Sequence, residues 1–267
     1  MLKTRIATAL VLVAALGLIL FALPPIAATL AFTLIAGVAA WEWAGLMKLD
    51  PPVRYMYAAC ILVCCWQLMV NLPQLVPVLL GLSAAFWLVV VPFWFRYKWK
   101  LGGNDMAGFL LGALVILPTW AAMVALHAVD PWLMLAAMAL VWVADIAAYF
   151  AGRAFGRHKL APAISPGKTW EGVAGAVVGV LAYGGAVFNF SPLAGKLPLS
   201  VPLLALLLVT LTAVSVMGDL FESLLKRQAG IKDSSQLLPG HGGVLDRIDA
   251  LTSALPLSAL ILFLVRS

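Results

Sequence analysis

Charge is what this chain lacks. Of its 267 residues only 10% are Asp, Glu, Lys or Arg, against roughly 25% in soluble domains, while 64% are hydrophobic. Eleven carboxylates and seventeen Lys plus Arg cannot coat a 28.4 kDa globule, and a mean hydropathy of +1.06 excludes a water-soluble fold. Cysteine is scarce too. Cys60, Cys64 and Cys65 share one apolar run, which excludes a disulfide framework. The stretch from Met56 to Val70 has no His or carboxylate to complete a zinc site with them, so they read as helix packing. Internal repeats, low-complexity tracts and coiled-coil heptads are absent, as are the signatures of a serine triad, a haem site or a dinucleotide fold.

What is present is a series of apolar runs bounded by Pro, Gly or charge. They fall at roughly 6–22, 26–46, 55–71, 74–95, 107–127, 132–152, 170–190, 199–218 and 249–265, each about the 20 residues that cross a bilayer. The expectation is an all-α polytopic membrane protein of about nine transmembrane helices, with no room for a separate soluble domain. Weakest are the boundaries at Leu23-Pro24-Pro25 and Asn71-Leu72-Pro73, where a turn separates neighbouring runs and a hairpin that does not cross fully is the alternative. Charge placement orients the set. With the N-terminus cytoplasmic, fifteen of the seventeen Lys and Arg fall in cytoplasmic segments, and only Lys196 and Arg266 on the other side. The C-terminus is then outside. Lys3 and Arg5 ahead of an apolar stretch resemble a signal peptide, but the alternation works with the first helix kept as an anchor. Residues 1–130 read as helical scaffold with dimer contacts. Residues 131–267 read as the catalytic region, with cytoplasmic loops at 152–171 and 226–249. Basic loops beside an anionic leaflet account for the net charge of +6 without nucleic acid.

Ionisable groups inside spans are costly unless they pair, bind an ion or line a wet cavity. Glu42, between Trp41 and Trp43, reads as structural, tolerated by the aromatic belt and water at the end of its span. Asp145 lies inside the sixth span, with Tyr149 and Arg153 following on nearby helical faces. Residues 152–171 form the first long polar loop, with four cations, His158, Ser165 and Thr169, suited to holding phosphates. Gly167-Lys168-Thr169 is not a P-loop, since position 162 is proline where that pattern needs glycine. In the eighth helix Asp219, Glu222 and Lys226 are spaced to share one face; for Glu222 a solvated helix end paired with Lys226 stays an even alternative. Then come Gly240-His241-Gly242-Gly243 and the pair Asp246 and Asp249. The glycines allow close approach to a ligand. Converging carboxylates repel at a lipid boundary, a conflict that a cation resolves. Oxygen-only ligands select Mg²⁺. These residues suit displacement at phosphorus: a membrane phosphoryl- or nucleotidyl-transfer enzyme, with an ion-coupled transporter as the alternative.

The run Ser223-x-Leu225-Lys226-Arg227-x4-Lys232-Asp233-x-Ser235-x2-Leu238-Pro239-x-His241-Gly242-Gly243-Val244-x-Asp246-Arg247-Ile248-Asp249 looks like the signature of the phosphatidate cytidylyltransferases, also called CDP-diglyceride synthases. Gly152-Arg153, Gly156-Arg157 and Ser165-Pro166-Gly167-Lys168-Thr169-Trp170-Glu171-Gly172 are similar to that family's looser second motif. Where the family often has a hydroxyl residue after the sixth-span aspartate, this chain has Ile146, which touches only a secondary contact. The resemblance covers about residues 145–256; the first half matches as generic membrane helices.

The resemblance implies that CTP and phosphatidate give CDP-diacylglycerol and pyrophosphate in phospholipid biosynthesis. It further implies a Mg²⁺ requirement, with a second, monovalent cation left open, and a homodimer in the bacterial cytoplasmic (inner) membrane. Joined to the residue reading, it makes Asp219 and Asp246 the first expected Mg²⁺ ligands, with Asp249 and Asp145 beside them. Lys226, Arg227, Lys232 and Arg247 are expected on phosphates, His241 on phosphate or in proton handling. Ser165, Lys168, Tyr149 and Arg153 complete the substrate site.

Overall fold

The computed structural model describes residues 2–101, 105–190 and 200–266; Lys196, which the charge argument used, lies outside them. The chain runs through α1 (Leu2–Gly17), α2 (Pro25–Leu46), α3 (Pro51–Val70), α4 (Val76–Ala85), α5 (Val91–Tyr97), α6 (Asp105–Val129) and α7 (Pro131–Phe155). After a hairpin of β1 (Lys159–Ala161) and β2 (Ser165–Thr169) come α8 (Trp170–Phe190), α9 (Val201–Ala229), α10 (Leu245–Ile248) and α11 (Leu251–Arg266). Single π-helical turns extend α1 to Ala22 and join α4 to α5. Among the described residues, eight helical stretches are long and apolar enough to cross a bilayer, and α11 is a shorter apolar helix. The stretches on either side of Pro24-Pro25, and on either side of the Asn71 turn, each reach spanning length.

Helix α11 shows why its sequence is apolar on every side. It packs against α4, α6, α7 and α9, and Leu251 through Leu257, with Ala259 and Leu262, are buried, as expected of a helix enclosed by others. Pro256 lacks an N–H, so the Thr252 carbonyl loses its helical donor. The Thr119 hydroxyl of α6 stands 3.3 Å from that carbonyl oxygen. Ser253 ties α11 to α9 by donating to the Val214 carbonyl at 2.7 Å.

Helices α7 and α8 approach most closely, through small residues. Gly172, Gly175 and Gly179 of α8 face Ala147, Ala148 and Ala151 of α7, where a Cβ on Gly179 would stand 2.7 Å from that of Ala147. Close backbone approach of this kind holds helices together in lipid, where apolar burial supplies little. The hairpin that follows α7 was read from sequence only as a polar loop. It pairs antiparallel, Lys159 opposite Thr169 and Ala161 opposite Ser165. At its base Trp170 N–H donates to the His158 carbonyl at 3.0 Å, and the His158 imidazole Nδ1 lies 2.6 Å from Glu171.

Candidate active site

The acids come together where α7, α9 and the segment joining α10 to α11 meet. Asp145 of α7 and Asp219 of α9 line one groove with Tyr149, Arg153, Ser165 and Lys168, in a space of about 460 Å³. That volume is of the size that ordinarily takes a small ligand. Six residues singled out on sequence grounds thus share one cavity. The hairpin closes its side: Lys168 Nζ is 2.6 Å from Asp219 Oδ2. Ser223 Oγ also donates to Asp219, at 3.2 Å. Arg153 donates to the Tyr149 hydroxyl at 3.0 Å, one helical turn apart as their spacing predicts.

Asp249 enters from the segment between α10 and α11. A Cβ on Gly218 would stand only 2.9 Å from the Asp249 carbonyl oxygen, so the missing side chain lets this segment approach α9 beside Asp219. The Asp249 carboxylate accepts from Ala250 N–H at 2.7 Å and lies close enough to Asp219 and Asp145 for their charges to interact.

A second knot forms one to two turns along α9, which runs on to Ala229 and stops at Gly230 in the left-handed conformation. Lys226 Nζ lies 2.7 Å from Asp246 Oδ1 and 3.1 Å from Glu222 Oε1. Glu222 is buried, at 5% exposure, and its Oε2 has no hydrogen-bond partner among the described residues. The solvated helix end weighed for Glu222 is therefore corrected: neighbouring helices cover it. Asp246 Oδ2 accepts from Ser234 N–H at 2.8 Å, Ser234 Oγ at 2.9 Å and Gly243 N–H at 2.8 Å. Burial opposes its charge, yet the hydrogen bonds from Lys226, Gly243 and Ser234 hold the Asp246 carboxyl below its ordinary range.

The remaining residues named from sequence do not line this groove. Arg227, Lys232 and Arg247 are exposed and His241 half-buried. The His241 amide donates to the Leu238 carbonyl at 2.8 Å, and its ring Nδ1 has no partner among the described residues.

Glu42 is the residue the sequence reading undervalued. Water and the aromatic belt do not hold it; it is 1% exposed and accepts hydrogen bonds from the loop that carries the signature. An acid in the middle of a Trp-flanked apolar run was the available signal. Its partners lie nearly two hundred residues away, which no local pattern discloses.

A model of the cytidylyltransferase family matches residues 3–265. The chain belongs to the cytidylyltransferase family. It is similar to the phosphatidate cytidylyltransferase of Pseudomonas aeruginosa, 44% identical over 273 residues that cover 98% of this chain and 97% of that protein. The phosphatidate cytidylyltransferase of Haemophilus influenzae is 36% identical over 99% of this chain and 100% of its own length. That of Brucella suis is 54% identical over a shorter stretch of 116 residues, 43% of this chain and 41% of that protein. Family membership thus extends over the first half as well, where the sequence motifs are silent.

Proposed function

We propose that this protein condenses CTP with phosphatidate to give CDP-diacylglycerol and pyrophosphate, working at the cytoplasmic face of a bacterial inner membrane. The observation that carries the reading is the meeting of Asp145, Asp219 and Lys168 in one groove, in a chain that matches phosphatidate cytidylyltransferases over nearly its whole length at 44% and 36% identity.

The donor set suits Mg²⁺. Asp219, Asp249 and Asp145 offer only oxygen, and the crowding of their charges favours a hard cation. Among the described residues no group of three or more such side chains is close enough to cage an ion alone. An ion completed by nucleotide phosphates and water needs no such cage. Asp219 and Asp249 would hold it, with Asp145 beside them and Asp246 contributing through Oδ1, the oxygen that faces Lys226. When bound, Mg²⁺ neutralises charge on the reacting and leaving phosphate oxygens.

The protein's own groups do the rest. Lys168 and Lys226 neutralise Asp219 and Asp246, and both ammonium groups are placed to transfer to the CTP phosphates when nucleotide enters. Arg153, steadied by Tyr149, and Ser165 donate to phosphate from the hairpin side. Exposed Arg227, Lys232 and Arg247 draw the trianionic to tetraanionic nucleotide in and receive pyrophosphate. Phosphatidate enters sideways from the inner leaflet. A phosphate monoester, whose second ionisation falls near pH 6, is largely dianionic at neutral pH and attacks the α-phosphorus of CTP without a strong general base.

Purified protein incubated with α-labelled CTP, phosphatidate and Mg²⁺ in detergent decides the matter. Label in lipid with released pyrophosphate is the expected result. An ion-coupled transporter leaves all label in the aqueous phase.

A further inference from the structure

The Glu42 carboxylate sits in a cradle made entirely by residues 234–245. Its Oε1 accepts from the Ser235 hydroxyl at 2.7 Å and Val244 N–H at 2.9 Å. Its Oε2 accepts from Leu245 N–H at 2.6 Å and lies 3.1 Å from the Ser234 hydroxyl, which shares its single proton between Glu42 and Asp246. Each oxygen thus has one backbone N–H and one hydroxyl within hydrogen-bond reach, in a site that is almost fully closed to solvent. Gly243 is glycine for the same reason: a Cβ there would stand 2.5 and 2.6 Å from the two carboxylate oxygens. The Ser234 hydroxyl lies between two acids, 3.1 Å from Glu42 and 2.9 Å from Asp246, and Asp246 in turn grips Lys226 at 2.7 Å.

We infer that Glu42 is a positioning residue for catalysis. From α2, outside the stretch that carries the family motifs, it fixes the loop 234–245 so that Asp246 and Lys226 stand ready for phosphate. It touches no substrate. Its effect passes along the chain Glu42, Ser234, Asp246, Lys226, and the two backbone N–H bonds at Val244 and Leu245 set where α10 begins. The first helix also touches this loop, through the Thr8 hydroxyl on the Pro239 carbonyl at 3.0 Å and through Arg5 packed on Gly240, but makes no bond to Glu42 among the described residues. This inference rests on the catalytic role proposed above for Asp246 and Lys226.

Glu42→Gln tests it with little change of shape. Either orientation of the amide turns an NH₂ group toward one of the two backbone N–H donors, so Val244 or Leu245 loses its acceptor; the hydroxyls can rotate, the backbone cannot. Two quantities are read on full-length protein in detergent. The kcat for CDP-diacylglycerol formation is expected to fall ~10-fold or more with the KM for CTP held within about threefold, as loss of a charged acceptor for buried donors predicts. Amide exchange at Val244 and Leu245 is expected to speed up while α6 and α11 keep their protection. Ser235→Ala, which removes one hydroxyl and leaves the carboxylate, is expected to move both readouts in the same direction by less. Should Glu42→Gln yield no folded protein, Ser235→Ala decides by the same two measurements.

Unchanged kcat overturns the inference even if exchange rises, and so does faster exchange spread evenly over the bundle. Exchange is measured without substrate, so the brace is judged separately from the reaction. Fast local exchange in a protein that never labels lipid, even as wild type, sinks the reaction assignment and with it the catalytic role of the brace.

Discussion

Lys168 places its ammonium 2.6 Å from the Asp219 carboxylate, and by that contact a surface hairpin is fastened to α9. The two residues are about fifty positions apart in the chain. Their meeting makes a groove from what would otherwise be a loop and the face of a helix.

Replacing Lys168 with Met removes the cation and leaves a similar volume. A charge-assisted hydrogen bond contributes about 1.5–3 kcal/mol, so kcat/KM for CTP is expected to fall ~10- to 100-fold. Lys168→Arg should recover part of the loss. Steady-state lipid labelling over a range of CTP concentrations measures both.

The acids should differ in what they do to metal dependence. Asp219→Asn and Asp249→Asn are expected to raise the Mg²⁺ concentration for half-maximal rate by ~10-fold or more, since each removes one of very few carboxylate ligands. Asp246→Asn, which weakens the grip on Lys226 and the loop as well, should abolish turnover with expression and oligomeric state unchanged. Chelation should silence the wild type, and added Mg²⁺ should restore it. Near-normal synthesis by Asp246→Asn would take that residue out of the site.

Packing of α7 on α8 is open to a clean comparison. Gly179→Leu drives a side chain into Ala147 and should destabilise by about 1–3 kcal/mol, as overpacking does. It should also reduce activity, because α7 and α8 carry both feet of the hairpin. Gly185→Ala meets nothing within 4 Å and should alter neither. Thermal unfolding followed by detergent size exclusion gives the ranking.

Sidedness can be read by labelling. In a variant lacking Cys60, Cys64 and Cys65, a cysteine introduced by Ala163→Cys in the hairpin should react only with reagent on the cytoplasmic side. One introduced by Asn71→Cys, between α3 and α4, should react only from the opposite side. The reverse pattern would invert the proposed topology and place the groove away from cytosolic CTP.

By itself the sequence determined that the chain lives in a membrane, since ten charged residues per hundred leave no other solvent for its surface. It determined nearly every helix as well, because a spanning helix satisfies its own backbone and its signal is local. The chemistry of the site was legible for a related reason: ionisable side chains such as Asp219 stand out against apolar surroundings, and the motifs containing Lys168 and Asp246 are contiguous. Tertiary structure alone decided the partnerships. That Glu222 is enclosed, that the polar loop is a β-hairpin reaching Asp219, and that Glu42 holds the Val244 and Leu245 amides all depend on packing and bonds between distant segments. Such bonds are chosen by which helices pack together, and packing in lipid is set by the fit of small residues rather than by a pattern written along any one stretch.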